Sequence, residues 1–129
     1  MLDAFILTLA AELEIEPPPK KDHLNQIVLP LNSEQVIVLK EEGEGILLRA
    51  RIGAMPKERQ EELCMHLMKG NFLGQGTGKS VIGLTEDEKF LTLSLVLPYD
   101  MNYKAFKLLL EEFANYLSFW QEELHEKQT

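Results

Sequence analysis

The sequence predicts an α+β domain with the element order α-β-β-β-α-β-β-α, in which three helices pack on an antiparallel sheet. Apolar residues recur every three or four positions near both ends of the chain and in one central segment, and this spacing predicts helices. Elsewhere apolar residues alternate with polar ones, and short turns join the alternating segments, which predicts antiparallel strands. A chain of 129 residues can bury one core, so we expect residues 1–129 to form a single domain.

The amino-terminal half is predicted to contain one helix and three strands. Six apolar residues at helical spacing mark the helix, and the three prolines at 17–19 end it because proline cannot continue a helix. The period then changes to two, with turns predicted at 32–34 and in the acidic, glycine-containing segment 41–45. The helix face consists of Leu2, Phe5, Ile6, Leu9, Ala10 and Leu13, and the strands run through residues 27–31, 36–39 and 46–52.

The carboxy-terminal half is predicted to contain two helices and two strands. Pro56 suits the first turn of the central helix, and Gly70 is typical of a helix end. Asp100 or Asn102 is expected to cap the last helix, whose apolar residues lie along more than one stripe. The predicted bounds are residues 56–69 for the central helix, 80–84 and 90–97 for the strands, and beyond 102 for the last helix, with a glycine-rich loop at 74–78.

The charge balance narrows the classes of partner. The sequence has 13 Lys and Arg against 21 Asp and Glu, which gives a net charge of −8. Nucleic acids and anionic membrane surfaces need a basic face, so we expect neither as a partner. No segment approaches the roughly 18 consecutive apolar residues of a membrane span, and the acidic residues near the start oppose a signal peptide. The single cysteine, Cys64, suits a reducing compartment, so we expect a cytoplasmic protein.

The segment 74–80 resembles a phosphate-binding loop but departs from the required spacing. Such a loop needs a glycine, four further residues and then Gly-Lys-Ser or Gly-Lys-Thr. Counting back from Gly78 places Leu73 where the first glycine is required. The segment is also predicted to lead into a strand, whereas a phosphate-binding loop leads into a helix. A surface turn is therefore favoured, and a nucleotide-binding regulator or small enzyme that uses residues 74–80 is the alternative.

No other group of residues has the spacing of a catalytic or metal site. Cys64 and His66 lie two positions apart on a predicted helix, so their side chains point about 200° apart and cannot easily share a metal. His23 and His125 lie near a linker and a chain end. The carboxylates fall in local runs on turns and polar faces, where solvated charge is the simpler interpretation. We expect no cofactor, no metal ion and no enzyme activity.

The sequence contains more apolar surface than a small domain needs for its core. The first helix is short and is set apart by prolines, the last helix is apolar on more than one side, and the first three strands add another apolar surface. Most of this surface is expected to form the core, and the remainder is expected to be covered by self-association or by a partner chain. An extended partner along the sheet and the first helix would fit such a surface.

Three local stretches, together with the size, the acidity and the element order of the chain, resemble those of a known protein family. They are residues 67–73 with the glycine-rich turn and residues 82–84 after it, residues 91–94 and 97–99, and the last helix with Phe113 and Trp120. Together these features resemble the small acidic chaperones of bacterial type III secretion, the class I, Tir-chaperone-like family that serves individual effectors. The resemblance covers nearly the whole chain and consists of a pattern of apolar positions.

The resemblance implies a homodimer without enzyme activity, located in the bacterial cytoplasm. Members of this family bind an N-terminal segment of a secreted effector, which wraps around the dimer in extended form and stays soluble and competent for export. A heterodimer with a related chaperone, or an adaptor of the same fold with folded partners, is the alternative within this fold. The implied effector groove consists of Leu2, Phe5, Ile6, Leu9, Val36, Val38 and Leu47, and the implied dimer interface includes Leu63, Leu67 and Met68.

Overall fold

The computed structural model of the chain describes residues 2–43, 45–71, 80–98 and 100–128. Within these residues, three helices and five strands follow each other in the predicted order, which confirms the α+β class. The elements are α1 (Leu2–Glu12), β1 (Gln26–Pro30), β2 (Val36–Glu42), β3 (Gly45–Ala54), α2 (Gln60–Asn71), β4 (Val81–Leu84), β5 (Phe90–Pro98) and α3 (Tyr103–Gln128).

The strands form one antiparallel sheet in the order β1-β2-β3-β5-β4, so β3 lies in the middle. Successive side chains of a strand point to opposite faces, and the register carries this alternation across the sheet. Leu48 of β3 lies opposite Leu39 of β2, and both are fully buried. The next residue, Arg49, lies opposite Val38 and is exposed. The two faces of the sheet are therefore chemically different.

The core lies between one face of the sheet, which we call the inner sheet face, and the three helices. The buried side chains of the strands and of the helices form a single apolar cluster. Burying a large apolar side chain contributes roughly 1.5–3 kcal/mol to stability, so this cluster is the main stabilising element of the fold. Its largest fully buried members are Phe106, Phe113, Leu2, Ile6, Ile27, Leu29, Ile37, Leu39, Ile46, Leu48, Leu93 and Leu97.

The structure corrects three local predictions. The central helix begins at Gln60 rather than Pro56, because Arg59 has a φ of 59°, a left-handed conformation that an α-helix cannot contain. The predicted turn at 41–45 is tighter, because β2 continues through Glu42 and β3 begins at Gly45. Leu13 lies beyond the end of α1 and is 47% exposed, so it does not belong to the buried helix face.

Two polar residues hold the last helix in place. Asn102 caps α3, since its side-chain Oδ1 accepts a hydrogen bond of 2.9 Å from the Ala105 amide, as the sequence predicted. Gln35, in the turn before β2, is buried and donates from Nε2 to the Ser118 hydroxyl at 2.6 Å and to the Ala114 carbonyl at 3.2 Å. Buried amide groups need such partners, so these bonds fix the β1–β2 turn against α3.

Candidate partner-binding surfaces

The apolar side of α1 is part of the core. The exposed fractions of Leu2, Ile6 and Leu9 are 0%, 1% and 3%, because these side chains pack into the cluster under the sheet. Phe5 is half-buried, and its ring stacks on Phe106 of α3 with the centroids 4.9 Å apart. The α1 residues that the family resemblance assigned to an effector groove therefore contact this chain's own interior in this conformation, and their contact with a partner stays a prediction.

Polar contacts join α1 to the rest of the molecule. The Leu2 amide donates a hydrogen bond of 2.9 Å to the Glu41 carboxylate at the end of β2. Near the other end of α1, the Lys107 ammonium of α3 donates to the Glu12 carboxylate. This hydrogen bond lowers the pKa of Glu12 below its ordinary value of 4.5 and raises the pKa of Lys107 above 10.5. The contact therefore favours the charged form of both groups.

We expect the Glu12 contact to make stability fall in acid. A lowered carboxyl pKa stabilises the fold above the unfolded value, so the contribution is complete at neutral pH and is lost as the pH falls below 4.5. Glu12→Gln should lower the thermal unfolding midpoint more at about pH 7 than at about pH 3. Glu14→Gln is the control, since Glu14 has no ion pair among the described residues. An equal effect of Glu12→Gln at both pH values would contradict this assignment.

The opposite side of the sheet, which we call the open sheet face, is covered by none of the described helices. Its side chains alternate with the buried residues of the inner sheet face. Val96 is 67% exposed and Val81 is 59% exposed, although both residues lie within strands of the sheet. The open sheet face consists of Val28, Val36, Val38, Lys40, Leu47, Arg49, Arg51, Val81, Thr92, Ser94 and Val96.

Three of the predicted groove residues lie on the open sheet face. Val36 is 44% exposed, and Val38 and Leu47 are half-buried. A depression of about 590 Å³ crosses this face, lined by Val36 and Val38 together with Arg49 and Arg51. These strand residues and the predicted α1 residues lie on opposite sides of the sheet, so the structure does not bring them together into one groove.

A second apolar surface lies on the exposed side of α2. Met65 is 62% exposed and Met68 is 70% exposed, and Cys64 shares this side of the helix. Leu63 and Leu67, which were predicted at a dimer interface, are 3% and 7% exposed and pack into the core. Of the three predicted interface residues, Met68 alone is therefore accessible to another chain, and we call Cys64, Met65 and Met68 the α2 surface.

The buried side of α2 is held by His66. Its Nε2 atom lies 3.2 Å from the Glu123 carboxylate of α3, and its ring lies edge-on to Trp120 with the centroids 5.4 Å apart. This contact adds to the burial of Leu63 and Leu67 in the core, and Met65 and Met68 lie on the outward side of the helix.

Metal-binding side chains do not cluster in the part of the chain that the structure describes. Among the described residues, no three His, Cys, Asp or Glu side chains are close enough to hold a metal ion. The glycine-rich loop prediction falls on residues 74–79, which lie outside the described residues, while Ser80 leads into strand β4 as the sequence predicted. Among the described helices, none is long and apolar enough to cross a membrane.

Most residues of the open sheet face were not predicted to bind a partner. Val28, Val81 and Val96 were predicted to lie in strands but not to contact a partner. On α2, Met65 was not among the predicted interface residues. The alternating pattern of the strands could have identified the valines, because a valine one position from a core residue must lie on the opposite face of the sheet. Apolar residues on both faces of a strand indicate either burial on both sides or a surface for another chain.

Comparison with known proteins gives relatives over nearly the full chain. The Chlamydia pneumoniae protein CPj0713/CpB0740 is 27% identical over 126 residues, which covers 96% of each chain. The structure is similar to a chain of the HopA1–SchA chaperone–effector complex, with a TM-score of 0.73 and 15% identity over 94% of this chain and 93% of that one.

Two further solved structures share the fold. A chain of the complex between the Yersinia pestis type III secretion chaperone SycH and a stable fragment of YscM2 matches with a TM-score of 0.69 and 15% identity over 93% of this chain and 99% of that one. YbjN from E. coli, described as a candidate transcription regulator, matches with a TM-score of 0.70 and 16% identity over 99% of this chain and 93% of that one. At these identities the matches establish the fold and not the function.

The family comparison is more specific than the fold. The model of one family matches residues 4–121, which include every strand, α2 and most of α1 and α3. On this evidence the chain belongs to the Tir chaperone protein (CesT) family.

Proposed function

We propose that this protein is a type III secretion chaperone that binds the N-terminal segment of a secreted effector in extended form and keeps it soluble and competent for export. Membership of the Tir chaperone family and the similarity to chaperone–effector complexes support this function. The single observation that carries it is the open sheet face, which leaves Val81 and Val96 more than half exposed beside a complete core. Soluble proteins rarely expose apolar surfaces of large area to water, and an exposed apolar surface fits a partner with apolar side chains.

The proposed complex contains two copies of this chain joined through the α2 surface. Exposed methionines such as Met65 and Met68 adapt to irregular apolar contacts. A two-fold interface uses the same surface on both copies, so one apolar stripe is sufficient to form it. Light scattering at micromolar concentration should give the mass of two chains, and the mass of one 14.8 kDa chain would contradict the dimer.

The test of function measures binding of an effector's N-terminal segment. Each secreted effector of the source bacterium is co-expressed with the tagged chaperone, both as the full-length protein and as its N-terminal segment alone. We expect one segment to bind as tightly as its full-length effector and to lack folded structure when it is isolated. Binding of full-length, folded effectors without binding of any isolated segment would contradict the proposal and support an adaptor with folded partners.

The variant Val96→Asp tests the surface. A carboxylate placed against an apolar partner loses water without gaining a partner, which costs about 1–3 kcal/mol, so the segment should bind about tenfold more weakly or worse. The matched control is Leu108→Asp, because Leu108 of α3 is 56% exposed and lies outside the open sheet face. Both variants should unfold at the urea concentration of the unmodified protein. Equal binding by the two variants would exclude the open sheet face as the site.

A further inference from the structure

Two arginines lie at the centre of the open sheet face. Arg49 and Arg51 are two residues apart on β3, the middle strand, so both side chains project from the same face. In the sheet register Arg49 lies between Val38 of β2 and Ser94 of β5. The two outermost strands continue this row with Val28 and Val81, so that apolar residues flank the positive charge on both sides.

The positive charge is compensated at one arginine and not at the other. The Arg51 guanidinium lies 4.1 Å from the centroid of the Phe90 ring, a cation–π contact, and Asp87 of the β4–β5 turn attracts it. Arg49 is exposed, and no carboxylate among the described residues lies within 4.0 Å of its guanidinium.

The other charges on this face are already engaged or lie at its edge. The Lys40 ammonium lies 3.4 Å from the Glu42 carboxylate on the same strand. Asp87 is held in its turn, because it accepts hydrogen bonds from the Thr85 hydroxyl at 2.5 Å and from the Lys89 amide at 3.0 Å. Glu34 lines the rim of the depression. An unpaired guanidinium between Val38 and Ser94, in a row that ends in a valine on both sides, is unexpected in a chain with a net charge of −8.

We infer that the open sheet face selects a partner segment in which an acidic residue is flanked by apolar residues, with the carboxylate bound by Arg49 and with Arg51 adding positive charge beside it. This inference rests on the proposed function and names the chemistry of the bound segment. A planar guanidinium donates two parallel hydrogen bonds to one carboxylate, which fixes both register and orientation. The flanking valines would contact the apolar neighbours and exclude water, which strengthens the charged contact.

The occupant is a peptide rather than a nucleic acid. Phosphate backbones require several basic residues along one surface, and a net charge of −8 repels them. Two arginines among valines instead match one carboxylate among apolar side chains. Charge complementarity of this kind contributes mainly to selectivity between partners, so a chaperone of this design would distinguish its effector from others of equal apolar content.

The test selects peptides from a phage-displayed library of random sequences on the immobilised full-length protein. We expect the unmodified protein to enrich peptides with Asp or Glu between apolar residues. The double variant Arg49→Gln/Arg51→Gln should retain the apolar enrichment and lose the acidic one. The control is Lys40→Gln, which removes a positive charge of the same face that is already paired with Glu42.

One selected peptide is then synthesised with its acidic residue intact and with Gln in its place. Removing the carboxylate or replacing Arg49 by Gln should each weaken binding by about 30-fold, the effect of breaking a desolvated charge pair, and the two changes together should weaken it no further. Acidic enrichment that survives in the double variant, or single-stranded DNA that binds as tightly as the peptide, would overturn the inference. If the library yields no binder at all, both the inference and the proposed function are contradicted. If it yields apolar peptides without acidic residues, only the inference is overturned.

Discussion

Phe106→Ala is expected to lower the free energy of unfolding by about 3–5 kcal/mol, the cost of emptying the space of a buried phenylalanine. Phe106 is fully buried near the start of α3, and its ring stacks on Phe5 of α1. The substitution therefore removes core volume and also one of the contacts that hold α1. Since domains of this size are stable by only about 5–15 kcal/mol, a large share of the total stability depends on this one ring.

Urea unfolding followed by circular dichroism measures this effect. Leu108→Ala is the control, because Leu108 lies two positions further along the same helix and is 56% exposed. A substitution at an exposed site should change stability by less than about 0.5 kcal/mol. Equal unfolding midpoints for the two variants would show that α1 and α3 do not pack through Phe106.

Leu48→Asp is expected to prevent folding at neutral pH, whereas Leu47→Asp should leave the protein folded. Leu48 of the middle strand is fully buried between Leu39 and Leu95 of the neighbouring strands. A carboxylate there loses its water without a partner, and with the lost apolar contacts the cost exceeds about 5 kcal/mol. Leu47 points to the open sheet face, opposite Val96, where an aspartate keeps contact with water.

Expression level, circular dichroism and amide dispersion in NMR spectra distinguish the two outcomes. The pair tests the sheet register directly, because a slip of one residue exchanges the two faces. If Leu47→Asp unfolds the chain and Leu48→Asp does not, the assignment of inner and open faces is wrong. The folded Leu47→Asp protein also serves as a second variant of the open sheet face, beside Val96→Asp, in the effector-binding experiment.

The sequence was sufficient to predict the element order and the two faces of the strands. Residues alternate between the two faces over 46–52, so Arg49 and Arg51 lie on the face opposite Leu48, as the register of the sheet shows. The cap at Asn102 was predictable because its side chain acts on amides only two or three residues away. Local signals of this kind depend on neighbours in the sequence and need no knowledge of the rest of the fold.

The candidate site was harder to predict, because which apolar face is covered depends on distant residues. The spacing of Leu2, Ile6 and Leu9 shows that α1 has an apolar side, but only the position of α3 shows that this side is buried within the chain. The start of α2 was misplaced for a different reason. Proline is favourable in a first helical turn, yet the left-handed backbone of Arg59 delays the helix, and no feature of the sequence marks that conformation.

The inner and open faces of the sheet have different neighbours, so the residues on each face are able to change independently during evolution. A change at Leu48 must be compatible with the neighbours that it touches on adjacent strands, so we expect only residues of similar volume to be tolerated there. Val96 and Arg49 are exposed, so under the proposed function a change at either residue would alter what is recognised and leave folding nearly untouched. Under the proposed function, duplicated genes would acquire new partners through a few outward substitutions, while the backbone arrangement is already shared with a protein of only 15% identity.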